Sequence, residues 1–183
     1  MFNKLDDIIY EFDGKKYQWD WVRWTDSKNM TLLPVVIKEL NLKLKESIAN
    51  KEIDLSNLEN KELTTLASNF KDADAPGISL YIIENLILTK DPKDSFALSV
   101  LCSLLRKLGK PKEALEKTKN NSGQSTALFT SRAAAMCDLG LWKEAHDEVG
   151  RALGKEKDPQ KKIEAFNVVK RIKEAAPYLY KNN

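Results

Sequence analysis

The side chains that could do chemistry are few and scattered. His146 is the sole histidine, one residue after Ala145 in a helix-patterned stretch. A general base there needs a Ser or Cys nucleophile and a third, orienting residue, and no such set can be assembled from the local pattern; it reads as a surface or boundary histidine. Cys102 and Cys137 lie in separate helical segments with no Cys or His close by, so neither a disulfide framework nor a zinc site is suggested. Both read as small packing residues in a reducing, cytoplasmic setting. Asp72 and Asp74 flank one residue, as metal-binding carboxylates sometimes do, but at an inter-helix turn aspartate favours local hydrogen bonds. The glycines form neither a phosphate-binding loop nor a dinucleotide fingerprint. The expectation is a protein that is not an enzyme, with no catalytic residues, no metal and no cofactor.

One cluster has a chemical alternative. Lys15, Lys16, Tyr17, Trp19, Trp21, Arg23 and Trp24 combine rings and cations, as single-strand nucleic-acid binders do. The plainer reading, which we prefer, is that Tyr17, Trp19 and Trp21 pack a hairpin onto a helix. The charge supports it: 30 basic residues against 27 acidic ones create no broad positive field. Nucleic-acid binding through this segment stays as a second reading, and an enzyme with dispersed, unrecognised residues as a third.

The elements around these residues are mostly helical. Ile8, Tyr10 and Phe12 alternate with polar neighbours, Asp13-Gly14 supplies a turn, and Tyr17, Trp19 and Trp21 alternate again, which predicts a β-hairpin with one apolar face over residues 8 to 24. From Thr31 the period changes. Leu33, Val36, Ile37, Leu40, Leu44 and Ile48 recur at three- and four-residue steps, predicting a helix to about Ala49 with Pro34 in its first turn. Ser56 and Glu59 match a capping box that would open the next helix. Helices with short turns follow to the end, so the expected division is 1–30 hairpin segment, 31–56 helix and linker, 57–176 helical repeats with a terminal capping helix, and 177–183 tail. Met1 to Tyr10 lacks the layout of a secretory signal. The longest apolar stretch, Leu32 to Ile37, falls far short of the roughly 20 residues that cross a bilayer, so no membrane is expected.

Two segments lie over one another: Phe96 to Thr118, around Leu108-Gly109 and Lys112-Glu113-Ala114, and Ala127 to Val149, around Leu139-Gly140 and Lys143-Glu144-Ala145. In each, a helix ends at a glycine able to take a left-handed C-cap, and a second helix starts two residues on. Leu98, Cys102 and Leu105 precede one glycine; Phe129, Ala133 and Met136 precede the other, with Trp142, Ala145, Val149, Ala152 and Pro159 beyond it. A weaker copy has Leu63, Ala67 and Phe70 before Asp74, then Ser79, Ile83 and Leu86. These residues resemble the tetratricopeptide repeat, over about residues 57 to 159. Thr118, Asn121 and Arg132 depart from its pattern, and the shorter interval between Gly109 and Gly140 implies a clipped second helix near Lys119 to Gly123. Ile163, Phe166, Val169 or Lys170, and Ile172-Lys173 continue as a capping helix that Pro177 ends, with Tyr178-Leu179-Tyr180 able to fold back.

The resemblance implies a mainly α fold, a right-handed α-α superhelix of stacked helix hairpins with a small N-terminal β-hairpin. It also implies an adaptor or scaffold function, with another protein or an acidic peptide held in the concave face. That face maps to Lys61, Thr64, Ser68, Ser99, Ser103, Arg106, Thr130 and Ala134. Family members that bind the acidic tails of heat-shock chaperones carry a lysine and asparagine clamp where this chain has Thr64, Ser68, Ser99 and Ser103. A chaperone-cofactor role is therefore not expected.

Overall fold

The computed structural model describes residues 8–19, 23–28, 32–50, 52–53, 55, 58–72, 75–119 and 125–180. The protein is mainly helical with a small three-stranded antiparallel sheet near its N-terminus. The chain divides into two compact units, Met1–Lys90 and Asp91–Asn183.

In the first unit, β1 (Ile8–Phe12) pairs with β2 (Lys15–Trp19) in the register Phe12 to Lys15, Tyr10 to Tyr17 and Ile8 to Trp19. The register leaves Asp13 and Gly14 as a two-residue loop, and both have positive φ, 51° and 67°, the geometry a tight hairpin requires. Ile8, Tyr10, Phe12, Tyr17 and Trp19 share the inner face, as their alternation predicts; Trp21 lies outside the described residues. The hairpin has a third strand that the pattern did not announce: β3 (Trp24–Asp26) pairs with β2, placing Trp24 opposite Trp19. Three residues are too few to display a period of two.

Helices α1 (Pro34–Ala49) and α2 (Asn60–Asp72) take up the apolar face of this sheet. The Trp19 ring is fully buried and stacks on Phe70 of α2 at 4.9 Å and 12°. Trp24 donates its indole N–H to Asn41 of α1 at 2.8 Å. The helix expected from Thr31 starts at Pro34, and Leu40, Leu44 and Ile48 form its buried stripe. Ser56 lies outside the described residues. The reach-back that the capping box implied is made one turn later, where the Glu62 carboxylate accepts from the Glu59 N–H at 3.0 Å.

Helix α3 (Pro76–Tyr81) continues without a break into a π-helical turn, Ile82–Ile87, marked by the Leu88 N–H bonding to the Ile83 carbonyl. The wider winding sets residues five apart nearly above one another. Ile82, Ile83 and Ile87 thus all become fully buried, while Leu86, which a regular helix would have turned inward, is only half-buried.

The second unit consists of α4 (Ser95–Lys107), α5 (Pro111–Thr118), α6 (Thr126–Asp138), α7 (Trp142–Lys155) and α8 (Ile163–Ala175). Asp94 caps α4 through the Phe96 and Ala97 N–H groups, and Ser125 caps α6 through Leu128. Neighbours in sequence pack together along the series from α4 to α8, and in addition α4 packs on α6 and α6 on α8. Gly109 and Gly140 have φ of 73° and 72°. At each, the next residue bonds back five positions: Lys110 N–H to the Leu105 carbonyl at 2.8 Å and Leu141 to Met136 at 3.0 Å. These are the closing bonds of a glycine C-cap. In the first unit Ala75 makes the same bond to Phe70 at 2.8 Å, although Asp74, expected in the glycine's place, lies outside the described residues. The small residues Ser79, Ala114 and Ala145, each in the helix after such a turn, are all fully buried.

Helix α5 has 8 residues against 14 in α7 and ends at Thr118; of the stretch where the clipping is expected, 120–123 lie outside the described residues. The capping helix is rotated from its expected face. Ala165, Val168 and Ile172 enter the core with Phe129, Ala133, Val149 and Ala152, while Ile163 and Phe166 stay more than half exposed. The alternation of large apolar residues misled because alanine carries little apparent hydrophobic signal yet permits the closest approach. Beyond Pro177 the chain does turn back: Leu179 and Tyr180 pack against this core, with the Tyr180 ring edge-on to His146 at 5.0 Å and Lys173 over its face.

Candidate functional site

The eight residues expected on a binding face fall in both units. Lys61, Thr64 and Ser68 stand on α2. Lys61 is exposed and Ser68 half-buried, but Thr64 is buried and donates its hydroxyl to the Asn60 carbonyl at 2.7 Å. In the second unit Ser99 is likewise buried and donates to the Phe96 carbonyl at 2.7 Å. Neither hydroxyl is presented to a partner.

The other four come together, although Thr130 and Ala134, each 5% exposed, are as buried as Thr64 and Ser99. Ser103, Arg106, Thr130 and Ala134 line a hollow of about 260 Å³ with Ser131 and with Glu164, Asn167, Val168 and Arg171 of α8. A larger hollow of about 490 Å³ adjoins it, lined by Phe96, Ser125, Thr126, Ala127, Glu156 and Gln160, and sharing Thr130 and Glu164 with the first. The shared residues make the two one trough across α4, α6 and α8.

The contribution of α8 was missed, and a signal for it exists. Glu164, Val168 and Arg171 stand 34 positions after Thr130, Ala134 and Cys137. They repeat the spacing of four and then three residues that places Ser99, Cys102-Ser103 and Arg106 along α4. Read as a lid on the core, α8 appeared only structural; it also supplies the third wall of the trough.

One end of the trough is organised by Asp138 at the C-terminus of α6. Its carboxylate receives Arg106 Nε at 2.7 Å from α4 and Arg171 Nη2 at 2.7 Å from α8, tying three helices through one acid. Burial pushes the Asp138 carboxyl up, but the hydrogen bonds and charges of Arg106 and Arg171 outweigh it and hold the group below its usual 3.8. A carboxylate held below its unfolded value contributes stability that is fully present above that value and is lost as pH falls through the folded one. Asp138→Asn is therefore expected to be less stable than wild type at pH 7 and to converge with it below pH 3.8, in denaturant titrations across that range. Curves that stay parallel at every pH would show that the triad is not coupled to folding.

The other reactive side chains sit away from any shared site. Cys102 is fully buried, and desolvation pushes its thiol up to about 12; Cys137, also buried, is raised for the same reason. Both are poor nucleophiles in the folded state. His146 stands beside Asp147 and the Tyr180 ring. Tyr17, Trp19 and Trp24 are buried, which leaves those rings no open face on which a base could stack. Lys15, Lys16 and Arg23 remain exposed, and Trp21 lies outside the described residues. No family model and no curated protein matches the chain in sequence, so its function has to be argued from the geometry of its own residues.

Proposed function

We propose that the protein is a non-enzymatic interaction module of the tetratricopeptide type, an adaptor or scaffold whose helix pairs continue one another in a right-handed superhelix. It holds an extended peptide segment of a partner protein against the trough formed by α4, α6 and α8, in the cytoplasm. The observation that carries this reading is that residues on the three alternate helices α4, α6 and α8 line two adjoining hollows that share Thr130 and Glu164. A face built from small and polar side chains suits hydrogen bonding to a peptide backbone, and the buried alanines behind it, Ala133, Ala145 and Ala152, hold the wall in place.

Arg106 is a poor site for testing this, because charge reversal there would set a second carboxylate against Asp138 and disturb the fold. Asn167 is exposed, lines the smaller hollow and sits on the open side of α8. Asn167→Trp is expected to fill the hollow with stability within about 0.5 kcal/mol of wild type, as for other surface changes. In affinity capture from source cells it should lose the species that wild type retains, while a substitution on the exposed outer side of α7, Lys143→Glu, should keep them. Equal capture by Asn167→Trp and wild type would rule the trough out as the binding surface.

A further inference from the structure

The trough is electrically polar along its length. Arg106 and Arg171 share the single carboxylate of Asp138 at one end, which leaves that end with a net positive charge. At the other end stand Glu156 and Glu164, beside a Phe96 ring that is 65% exposed. Glu156 is held in place by accepting the backbone N–H groups of Lys157 and Asp158 at 3.0 Å. Glu164 lies in the first turn of α8, where the helix N-terminus favours a carboxylate.

The spacing of the two ends follows from the helix. Glu164 and Arg171 lie seven residues apart on α8, two turns, so their charges are separated by about 10 Å along its axis. An extended polyproline-type chain rises about 3.1 Å per residue and repeats its facing every three residues. Two side chains three positions apart on such a chain therefore point the same way and lie about 9 Å apart, matching the two ends of the trough. A cation at the acidic end would also lay its aliphatic stem along Phe96, which desolvates the ring without burying the charge.

We infer that the partner segment is an extended chain bearing one basic and one acidic side chain three positions apart, the basic one received between Glu156, Glu164 and Phe96 and the acidic one by Arg171 and Arg106. This rests on the reading of the trough as the binding surface and adds the chemistry of its occupant. A purely acidic segment is disfavoured, because its second carboxylate would be set against Glu164.

The test uses the full chain and four fluorescein-labelled, nine-residue proline-rich probes, read by fluorescence anisotropy. The third and sixth positions carry Lys and Glu, Glu and Lys, Lys and Lys, or Glu and Glu. One of the two mixed probes, according to the direction in which the segment runs, is expected to bind up to about fivefold more tightly than either like-charge probe, the gain of one partly exposed ion pair. Glu164→Gln should reduce the preference over the Glu and Glu probe and leave that over the Lys and Lys probe, which the arginine end sets, and Glu164→Lys should shift binding toward the Glu and Glu probe, with circular dichroism unchanged in both.

Equal binding of all four probes that is abolished by Asn167→Trp overturns the charge pattern while leaving the trough as the binding surface. Binding that survives Asn167→Trp overturns both readings. Failure of every probe to bind, or a stronger response to a helical probe with its charges seven residues apart, overturns the extended segment.

Discussion

Arg132→Leu lowers the stability of the protein by about 3 kcal/mol, and adding Glu148→Leu to it restores most of the loss. Glu148 of α7 is 5% exposed at its side chain and faces Arg132 of α6, with Arg132 Nε 3.0 Å from Glu148 Oε1. The N–H does not point at the oxygen, so neither atom completes a hydrogen bond there; the contact is held by charge and proximity. Arg132 also donates Nη1 to the Thr118 carbonyl at 3.3 Å, at the open C-terminal end of α5, and Arg151 reaches the second Glu148 oxygen at 3.3 Å from a largely exposed position. Removing Arg132 leaves the buried carboxylate with the hydrogen bond at 3.3 Å from Arg151, whose own side chain is largely hydrated. Breaking a buried pair on one side costs about 3–5 kcal/mol, whereas replacing both members by apolar side chains is often neutral.

For a chain of this length 3 kcal/mol lowers Tm by about 6 to 12 °C. Thermal melts of the two single variants and the double variant decide the matter. A double variant no more stable than Arg132→Leu would mean that Glu148 is not the group left in distress.

The second large effect is expected at the sheet. Trp19→Ala should cost about 3–5 kcal/mol, the range for truncating a large buried ring, because Trp19 fills the space between the sheet and Phe70 and lies 5.3 Å from the Trp24 ring. Trp19→Phe should cost no more than about 1.5 kcal/mol. The indole N–H is buried without a partner, so losing it removes a desolvated donor along with some ring area. Urea titrations followed by circular dichroism give the comparison. A stable, fully helical Trp19→Ala protein would show that the ring is not packed as described, and would reopen a role for it at the surface.

Arg132 and Thr118 also mark how far the repeat could be read from sequence. Each departs from the repeat pattern, and in one dimension each is only a misfit. In the folded protein they answer one another, the arginine capping the end that the shortened α5 leaves open and pairing with Glu148 one helix further on. Nothing in the spacing of residues 118, 132 and 148 announces that they meet, because the contact depends on how three helices are turned about their axes. Asp138 is a similar case: Arg106 and Arg171 lie 32 and 33 positions away on either side, and only the packing of α4 and α8 against α6 brings both to it.

What the linear chain determined was local. The positive-φ turns at Gly14, Gly109 and Gly140, the positions of most helices and the burial of Ala114 and Ala145 all follow from backbone sterics and from apolar periodicity, which act within a few residues; the hairpin register, open between a turn at Asp13-Gly14 and one at Gly14-Lys15, did not. Tertiary structure decided which face each helix buried, the third strand, the π turn that carries Ile87 inward, and the joining of Glu164 and Arg171 to the trough. Those outcomes depend on which surfaces close the space between elements, and a rotation of one residue about a helix axis, barely visible in the pattern, moves a side chain from the core to the surface.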